Sequence, residues 1–212
     1  ITEQNRLKVH PFKQKVMILP IIAYGDPVLR KLGKNIDKEY PALESLLENM
    51  FETMYGAKGI GLAAPQIGLP IRIFIIDATP FQDDDELEVE ERDFLGNFKQ
   101  VFINAKIIEE TGDEWVFNEG CLSIPDVRED VFRNETIKIE YFDEKFEKHT
   151  KKFSGIAARI IQHEYDHIEG ILFTDKLSSL KKRLIKGKLS NISKGKIRID
   201  YRMRFPDMKK KR

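Results

Sequence analysis

The residues with the clearest chemical potential form one short stretch, His163-Glu164-Tyr165-Asp166-His167, which has the pattern HExxH. Residues four apart on a helix lie one above the other, so both imidazoles can reach one metal ion. Glu164 is turned by about 100° from His163, which places it beside the metal, where a general base belongs. The alternative is a helix with two half-buried histidines. Because the histidines interrupt an apolar stripe, where unpaired polar groups are costly, the pattern favours a metal site.

A catalytic metal of this type needs a third protein ligand and an open position. No histidine follows His167 and no glutamate follows Glu169, so the familiar downstream ligands are excluded or disfavoured. Six other residues stay possible: Asp175, Asp200, Asp207, His10, His149 and Cys121. A lone cysteine is more often a small buried apolar residue. Cys121 is favoured here because its setting, Glu119-Gly120-Cys121-Leu122-Ser123, has the character of a turn.

A third cluster consists of small residues followed by an amide, Gly59-Ile60-Gly61-Leu62-Ala63-Ala64-Pro65-Gln66. It lacks the length and the lysine of a phosphate-binding loop. Small residues in a row allow another backbone to approach closely, and Gln66 offers a donor beside that opening. Taken alone, the cluster is typical of a tight helix-to-strand connection with a surface glutamine.

Hydrophobic spacing predicts the elements that must position these motifs. The HExxH helix should begin after Ser154 and stop at Gly170, with one face formed by Ile156, Ile160, His163, His167 and Ile171. A short helix should follow Asp26-Pro27 and end at Gly33, and a longer one should run from Pro41 to Gly56 or Gly59. Predicted strands cover Ile71–Asp77, Val101–Ile108, residues 137–141 and Phe146–Phe153. This irregular order of strands and helices predicts a single α+β domain.

Composition describes a globular protein of 212 residues with 41% apolar and 33% charged side chains. The most apolar stretch, around residues 17–23, is broken by Pro20 and is too short to cross a membrane. Residues 1–15 are polar and lack the apolar core of a secretory signal. The single cysteine excludes an intrachain disulfide and fits a reducing compartment. We therefore expect a cytoplasmic protein.

The net charge of +1 conceals a strong asymmetry along the chain. Residues 170–212 hold fifteen lysines and arginines against three aspartates, whereas Asp83–Asp93 contains eight carboxylates and one arginine. The acidic region 81–97 is expected to be a solvated surface insertion. After Asp175 we expect a helix with Leu177, Leu180 and Leu184 on its apolar face and five basic side chains exposed: Lys181, Lys182, Arg183, Lys186 and Lys188. Ile197–Tyr201 is predicted to add a strand.

Together the motifs GIGLAAPQ, EGCLS and QHEYDH resemble, in order and spacing, the three signatures of the peptide deformylase family. The resemblance covers roughly residues 16–175, which would form the catalytic domain between a polar tail, 1–15, and a basic extension, 176–212. It implies mixed or antiparallel sheets packed around the HExxH helix. It also implies a hydrolase of protein biosynthesis that removes the N-formyl group from the N-terminal methionine of nascent polypeptides and releases formate. The chain departs from the usual pattern at Asn104-Ala105, where Asn-Pro is common, and in its longer acidic insertion.

The resemblance also implies a role for each motif residue. The metal ligands would be Cys121, His163 and His167. Glu164 would be the catalytic acid and base. Gln66 and the backbone N–H of Leu122 would hold the oxyanion. Substrate would contact Gly59, Gly61, Glu119 and Gly120, with Glu119 and Asp166 as supporting residues. For the methionine side chain we expect an apolar pocket of Ile60, Ile156 and Ile160, since the last two share the face of His163. Fe²⁺ is the implied physiological ion, with Zn²⁺, Ni²⁺ or Co²⁺ as substitutes.

Two further functions stay open at this point. An HExxH metallo-endopeptidase would use a carboxylate such as Asp175 in place of Cys121, and a binding module with a structural metal would have four protein ligands. The expected partners are formyl-methionyl peptides and, through basic residues 181–188, the phosphate-rich ribosome, since some deformylases dock there through a C-terminal helix. Neither a membrane nor a sequence-specific nucleic acid is expected as a partner.

Overall fold

A computed structural model describes residues 16–207 of the chain. The helices are α1 (Leu43–Gly56), α2 (Val89–Leu95), α3 (Gly155–Ile168) and α4 (Ser179–Ser193). The strands are β1 (Ile21–Ile22), β2 (Gly61–Ala63), β3 (Ile73–Asp77), β4 (Lys99–Cys121), β5 (Ile124–Phe142), β6 (Lys148–Ser154) and β7 (Met203–Arg204). Four short 3₁₀ helices cover Pro27–Arg30, Ala64–Ile67, Thr79–Asp83 and Phe173–Lys176. The predicted tail 1–15 and the candidate ligand His10 lie outside the described residues.

Five strands form an antiparallel sheet in the order β2-β3-β4-β5-β6, while β1 and β7 pair in parallel as a separate ribbon. Strand β4 contains the predicted strand 101–108 but continues to Cys121, so it delivers a candidate ligand at its end. Register shifts, for example between Ile103 and Lys106, break the alternation of apolar side chains along β4. That break explains why the sequence pattern indicated only the first part of this strand.

Helices cover both faces of the sheet at β3, all of whose residues are buried. Phe74 and Ile76 pack with the HExxH helix α3 on one face, whereas Ile73 and Ile75 pack with α1 on the other. Such burial on both sides explains the continuous apolar run of this strand. The prediction of a single α+β domain built around the HExxH helix is confirmed.

Local signals place the helix ends close to the predicted positions. Asp26 Oδ1 accepts a hydrogen bond of 2.9 Å from the N–H of Val28, but the 3₁₀ helix ends at Arg30 instead of Gly33. Helix α3 ends before Gly170, whose φ of +73° is the left-handed conformation that favours glycine. Ile171 therefore lies beyond the helix and is exposed, so its predicted place on the His163 face is wrong.

The acidic region 81–97 is more than the solvated loop predicted from its charge. It contains α2, and Leu95 is fully buried in the core beside α3. Glu91 Oε1 accepts a hydrogen bond of 2.8 Å from the N–H of Ile156. Ser154 is the N-cap residue of α3, as predicted, but its side chain makes no capping bond, and Glu91 satisfies one of the free N–H groups instead.

The C-terminal part differs from the prediction in two places. Leu180 and Leu184 are exposed, and α4 packs through Ile185, Leu189 and Ile192 instead, because the helix begins after Ser178 and turns the other stripe inward. Lys181 is half-buried against Glu129 at 3.1 Å. The other predicted basic side chains are exposed, as expected: Lys182, Arg183, Lys186 and Lys188.

The last strand is also displaced from its predicted position. Residues 197–201 form no strand, and β7 lies at Met203–Arg204, where Ile21 and Ile22 supply the pairing partner. Within the described part of the chain, no helix is long and apolar enough to cross a membrane.

Candidate active site

Two elements bring the three candidate metal ligands together. One face of α3 presents His163 and His167, and β4 ends at Cys121, whose Sγ lies 3.3 Å from His167 Nε2. One ligand atom from each of the three residues lies within 4.8 Å of the others. The cysteine predicted from its turn-like setting is therefore the third residue of this cluster.

The other third-ligand candidates in the described residues lie elsewhere. Asp175 pairs with Arg30, Asp200 Oδ2 lies 2.6 Å from Lys58 Nζ, and His149 Nε2 lies 2.7 Å from Asp143 Oδ2. Asp207 is tied by its backbone N–H to α4. An endopeptidase site with Asp175 as ligand does not fit this arrangement.

The donor set fits a divalent cation. A thiol and two imidazoles converge in a largely buried site, and such a mixed set suits Zn²⁺ or Fe²⁺. Burial opposes protonation of His163, but hydrogen bonding to Cys121 and Glu119 outweighs it and raises its pKa to about 10. Burial and the charge of His163 hold the pKa of His167 well below its usual value.

Glu119 is the centre of a buried ion network behind the cluster. It accepts hydrogen bonds from His163 Nδ1 at 2.8 Å, from Arg133 at 2.7 and 3.0 Å and from Arg159 at 3.0 Å. Burial alone would raise the pKa of Glu119, but the bonds from His163 and Arg133 hold it well below its usual range. By fixing Nδ1 of His163, this carboxylate leaves Nε2 for a metal.

Arg133 and Arg159 were missed by the sequence reasoning. Arg133 also lies 2.7 Å from Asp166, and both arginines are buried. Arg159 stands among apolar neighbours, but Arg133 is followed by Asn134 and Glu135, and nothing in the local sequence identifies Glu119 as the partner of either arginine. Asp166, expected as a supporting residue, does contact this network.

Glu164 lies beside the cluster, against the glycine-rich segment. It is 5% exposed, and its Oε2 has no hydrogen-bond partner among the described residues. Burial raises the pKa of Glu164 to about 7. A Cβ added at Gly61 would lie 2.5 Å from Glu164 Oε1, so this close approach requires glycine.

Gln66 and Leu122 flank the cysteine. Gln66 is 1% exposed, so the expectation of a surface side chain is wrong. Its Oε1 accepts a hydrogen bond of 2.8 Å from the N–H of Ala63, which directs Nε2 toward Cys121 Sγ at 3.5 Å and Ser123 Oγ at 3.3 Å. Leu122 directly follows Cys121 at the turn between β4 and β5.

A cavity of about 640 Å³ opens onto these residues. Six of the seven predicted substrate contacts line it: Gly59, Ile60, Gly61, Glu119, Gly120 and Ile160. Ile156 is absent from the lining and packs into the core, because it lies two turns before His163. Further lining residues were not predicted from the sequence, among them Phe81, Phe117, Arg128 and Tyr201.

Comparison with known proteins decides the family. The family model for polypeptide deformylase matches residues 18–183 of this chain. The chain belongs to the peptide deformylase family. This confirms the recognition based on the three motifs.

Individual peptide deformylases are similar over nearly the whole chain. The protein from Christiangramia forsetii is 69% identical over 92% of this chain and 100% of its own length. The Flavobacterium johnsoniae protein is 63% identical with the same coverage. The crystal structure of a peptide deformylase from Legionella pneumophila has a TM-score of 0.71 and 33% identity, covering 85% of this chain and 98% of that one. These similarities support a deformylase and not the alternative endopeptidase.

Proposed function

We propose that this chain removes the N-formyl group from formyl-methionine at the N-terminus of nascent polypeptides and releases formate. The observation that carries this proposal is the Cys121, His163 and His167 cluster beside Glu164 in an open cavity, within a chain of the peptide deformylase family. The three side chains leave room for a substrate, unlike a structural site closed by four protein ligands.

The metal would be held by Cys121, His163 and His167. When bound, a divalent cation supplies a Lewis acid that polarises the formyl carbonyl and makes water acidic enough to act as a nucleophile. We propose Fe²⁺ as the physiological ion because the resemblance to the peptide deformylase family implies it. Zn²⁺, Ni²⁺ or Co²⁺ would be substitutes, since a thiolate with two imidazoles accepts all four ions. The thiolate would also make the loaded protein sensitive to oxidation.

Glu164 would accept the proton of the attacking water and return it to the leaving amine. Its buried Oε2, unpaired within the described residues, is a free acceptor next to the ligands. Gly61 supports this position, since any side chain there would displace the carboxylate. Proton transfer by a side chain placed in this way contributes roughly 10²–10⁴-fold to the rate.

Gln66 Nε2 and the backbone N–H of Leu122 would donate to the oxygen that becomes negative. Gln66 is held by Ala63 before substrate arrives, so little reorganisation is needed. Losing one such donor typically costs roughly 2.7–4 kcal/mol of transition-state stabilisation.

The cavity would bind the substrate on both sides of the formyl carbon. Ile60 and Ile160, with Phe81 and Phe117, offer an apolar surface for the methionine side chain. Gly59, Gly61 and Gly120 allow the peptide backbone to approach closely. Since a formyl carbonyl carries only hydrogen, a cramped site would exclude acetylated termini by steric conflict.

Formate release tests this function directly. The protein is reconstituted anaerobically with Fe²⁺ and given a formyl-Met peptide, its acetyl-Met counterpart and a longer blocked peptide. We expect formate from the formyl peptide alone. Cleavage at an internal peptide bond without formate would instead identify an endopeptidase. Cys121→Ser is the matched variant, because a serine hydroxyl is a poor ligand at neutral pH, and it should retain less metal.

We also propose that the protein acts in the cytoplasm, where nascent chains emerge, and contacts the ribosome through residues 181–188. Residues 16–175 carry the proposed catalytic groups, and the extension 176–212 carries this contact. The exposed cationic side chains of α4 support it, because phosphate neutralisation would release counterions.

The ribosome contact predicts a salt-dependent interaction. Neutralising Lys181, Lys182, Arg183 and Lys186 should weaken cosedimentation with ribosomes and flatten its salt dependence, while peptide turnover is unchanged. Neutralising the exposed Lys151 and Lys152 on β6 is the control. Equal cosedimentation of all three proteins at low salt would contradict the contact.

A further inference from the structure

The turn at Leu122 and Ser123, which carries the proposed oxyanion donor, is held by hydrogen bonds from other segments of the chain. Leu122 and Ser123 are the two residues between the paired positions Cys121 and Ile124. Two-residue connections between antiparallel strands favour turns with positive φ at one or both central residues. Neither Leu122 nor Ser123 has a positive φ. The turn is therefore not of the types that two-residue connections between antiparallel strands favour.

Hydrogen bonds from three distant segments hold the turn in place. The hydroxyl of Tyr201 donates to Leu122 O at 2.8 Å, and the N–H of Tyr24 donates to Ser123 O at 2.8 Å. Gln66 Nε2 lies 3.3 Å from Ser123 Oγ. The peptide that Tyr201 holds is the central one of the turn, whose rotation interconverts turn types.

The segment that supplies Tyr201 is anchored independently of the active site. Strands β1 and β7 pair in parallel, so the residues next to Tyr24 and those next to Tyr201 belong to one ribbon. Ile21 N–H donates to Arg202 O at 2.9 Å, directly after Tyr201. Tyr201 also lines the cavity together with Leu122. The pairing of β1 with β7 therefore holds Tyr201 in a fixed position beside the turn.

We propose that Tyr201 is a positioning residue for deformylation: its hydroxyl fixes the Leu122-Ser123 peptide and thereby restricts rotation at Leu122, so that the Leu122 N–H, which belongs to the preceding peptide, keeps its direction toward the substrate oxygen. This inference rests on the proposed function of Leu122. It extends the catalytic unit beyond residue 175 to Tyr201, at the end of the stretch Ile197–Tyr201 that the sequence predicted only as an added strand. Oriented donors act on the transition state more than on substrate binding.

Tyr201→Phe tests this positioning role by removing one hydroxyl. We expect kcat for a formyl-Met peptide to fall about fivefold, the effect of losing roughly one hydrogen bond, while KM changes less than twofold. The matched control is Tyr141→Phe, since the buried hydroxyl of Tyr141 has no hydrogen-bond partner in the described residues and lies away from the cavity. That variant should keep the kcat of the unaltered protein.

A second measurement does not depend on activity. In ¹⁵N relaxation experiments, the Leu122 and Ser123 amides should lose order in Tyr201→Phe, from the value of about 0.85 typical of rigid backbone, and keep it in Tyr141→Phe. Unchanged order parameters, or a kcat equal to that of the control variant, would overturn the inference. Because formate release by the unaltered protein tests the proposed function separately, the two failures can be told apart.

Discussion

Replacing Arg133 with methionine tests whether the buried ion network holds the active site together. Arg133 is 4% exposed and donates to both oxygens of Glu119 and, at 2.7 Å, to Asp166. Methionine has a similar length and fills the space but carries no charge. The variant therefore leaves two buried carboxylates with fewer partners.

The expected loss of stability depends on the partners that Glu119 and Asp166 keep in the variant. Removing one partner of a buried ion pair typically costs about 3–5 kcal/mol. Here Arg159 still reaches Glu119 at 3.0 Å, and Lys176 lies 3.5 Å from Asp166. We therefore expect a loss near the lower end, about 3 kcal/mol. Set against the 5–15 kcal/mol typical of folded domains, this is a large fraction of the total.

Urea denaturation measures this loss. A chelator in both samples removes the contribution of metal binding, and an unchanged m-value would show that the two transitions are comparable. Arg92→Met is the matched control, because Arg92 pairs with an almost fully exposed Asp85, and should change stability by less than about 0.5 kcal/mol. Adding Glu119→Gln to Arg133→Met should cost less than the sum of the single variants. A loss below about 1 kcal/mol for Arg133→Met would refute the reasoning.

Three further predictions follow from individual contacts. Glu91→Gln should lower the free energy of unfolding by about 0.5–1 kcal/mol in urea titrations, because it removes a negative charge from the N-terminus of α3, whereas the exposed Asp93→Asn should have less effect. Gly61→Ala should reduce kcat at least about tenfold in the formate assay, since the added Cβ meets Glu164; normal turnover would contradict the close approach. Burial raises the pKa of Asp175, but the hydrogen bond from Arg30 outweighs it and leaves the pKa lowered. The unaltered protein should therefore be more stable than Asp175→Asn by a constant amount above about pH 5, and this difference should vanish as the pH falls through the lowered pKa. A difference independent of pH would contradict this pairing.

The sequence was most informative where one element carries its own periodicity and end signals. Helix α3 has apolar residues at helical spacing and a glycine after its last turn, so both its position and the meeting of His163 with His167 could be predicted. Cys121 could be proposed because the motif pattern lacked a third ligand. The position of Gln66 depends on burial by neighbouring segments, and sequence alone indicated the surface.

The parts that sequence reasoning missed depend on long-range pairing. Arg133 and Arg159 meet Glu119 across β4, β5 and α3, and no local pattern identifies such partners. Along α4 two apolar stripes compete, one through Leu180 and Leu184 and the other through Ile185 and Leu189, and only packing against the domain selects the second. Strand β7 likewise exists where β1 offers a partner, although residues 197–201 have the more strand-like pattern.

We propose that Glu164 transfers the proton at a metal ion held by Cys121, His163 and His167. This role of Glu164 is tested by formate release from the Glu164→Gln variant after anaerobic loading with Fe²⁺, with metal content measured on the same sample. Gln keeps the shape of the side chain and spares all three ligands, so we expect full metal content and a kcat reduced by about 10²-fold or more. A fully loaded variant that releases formate at a nearly normal rate would contradict it.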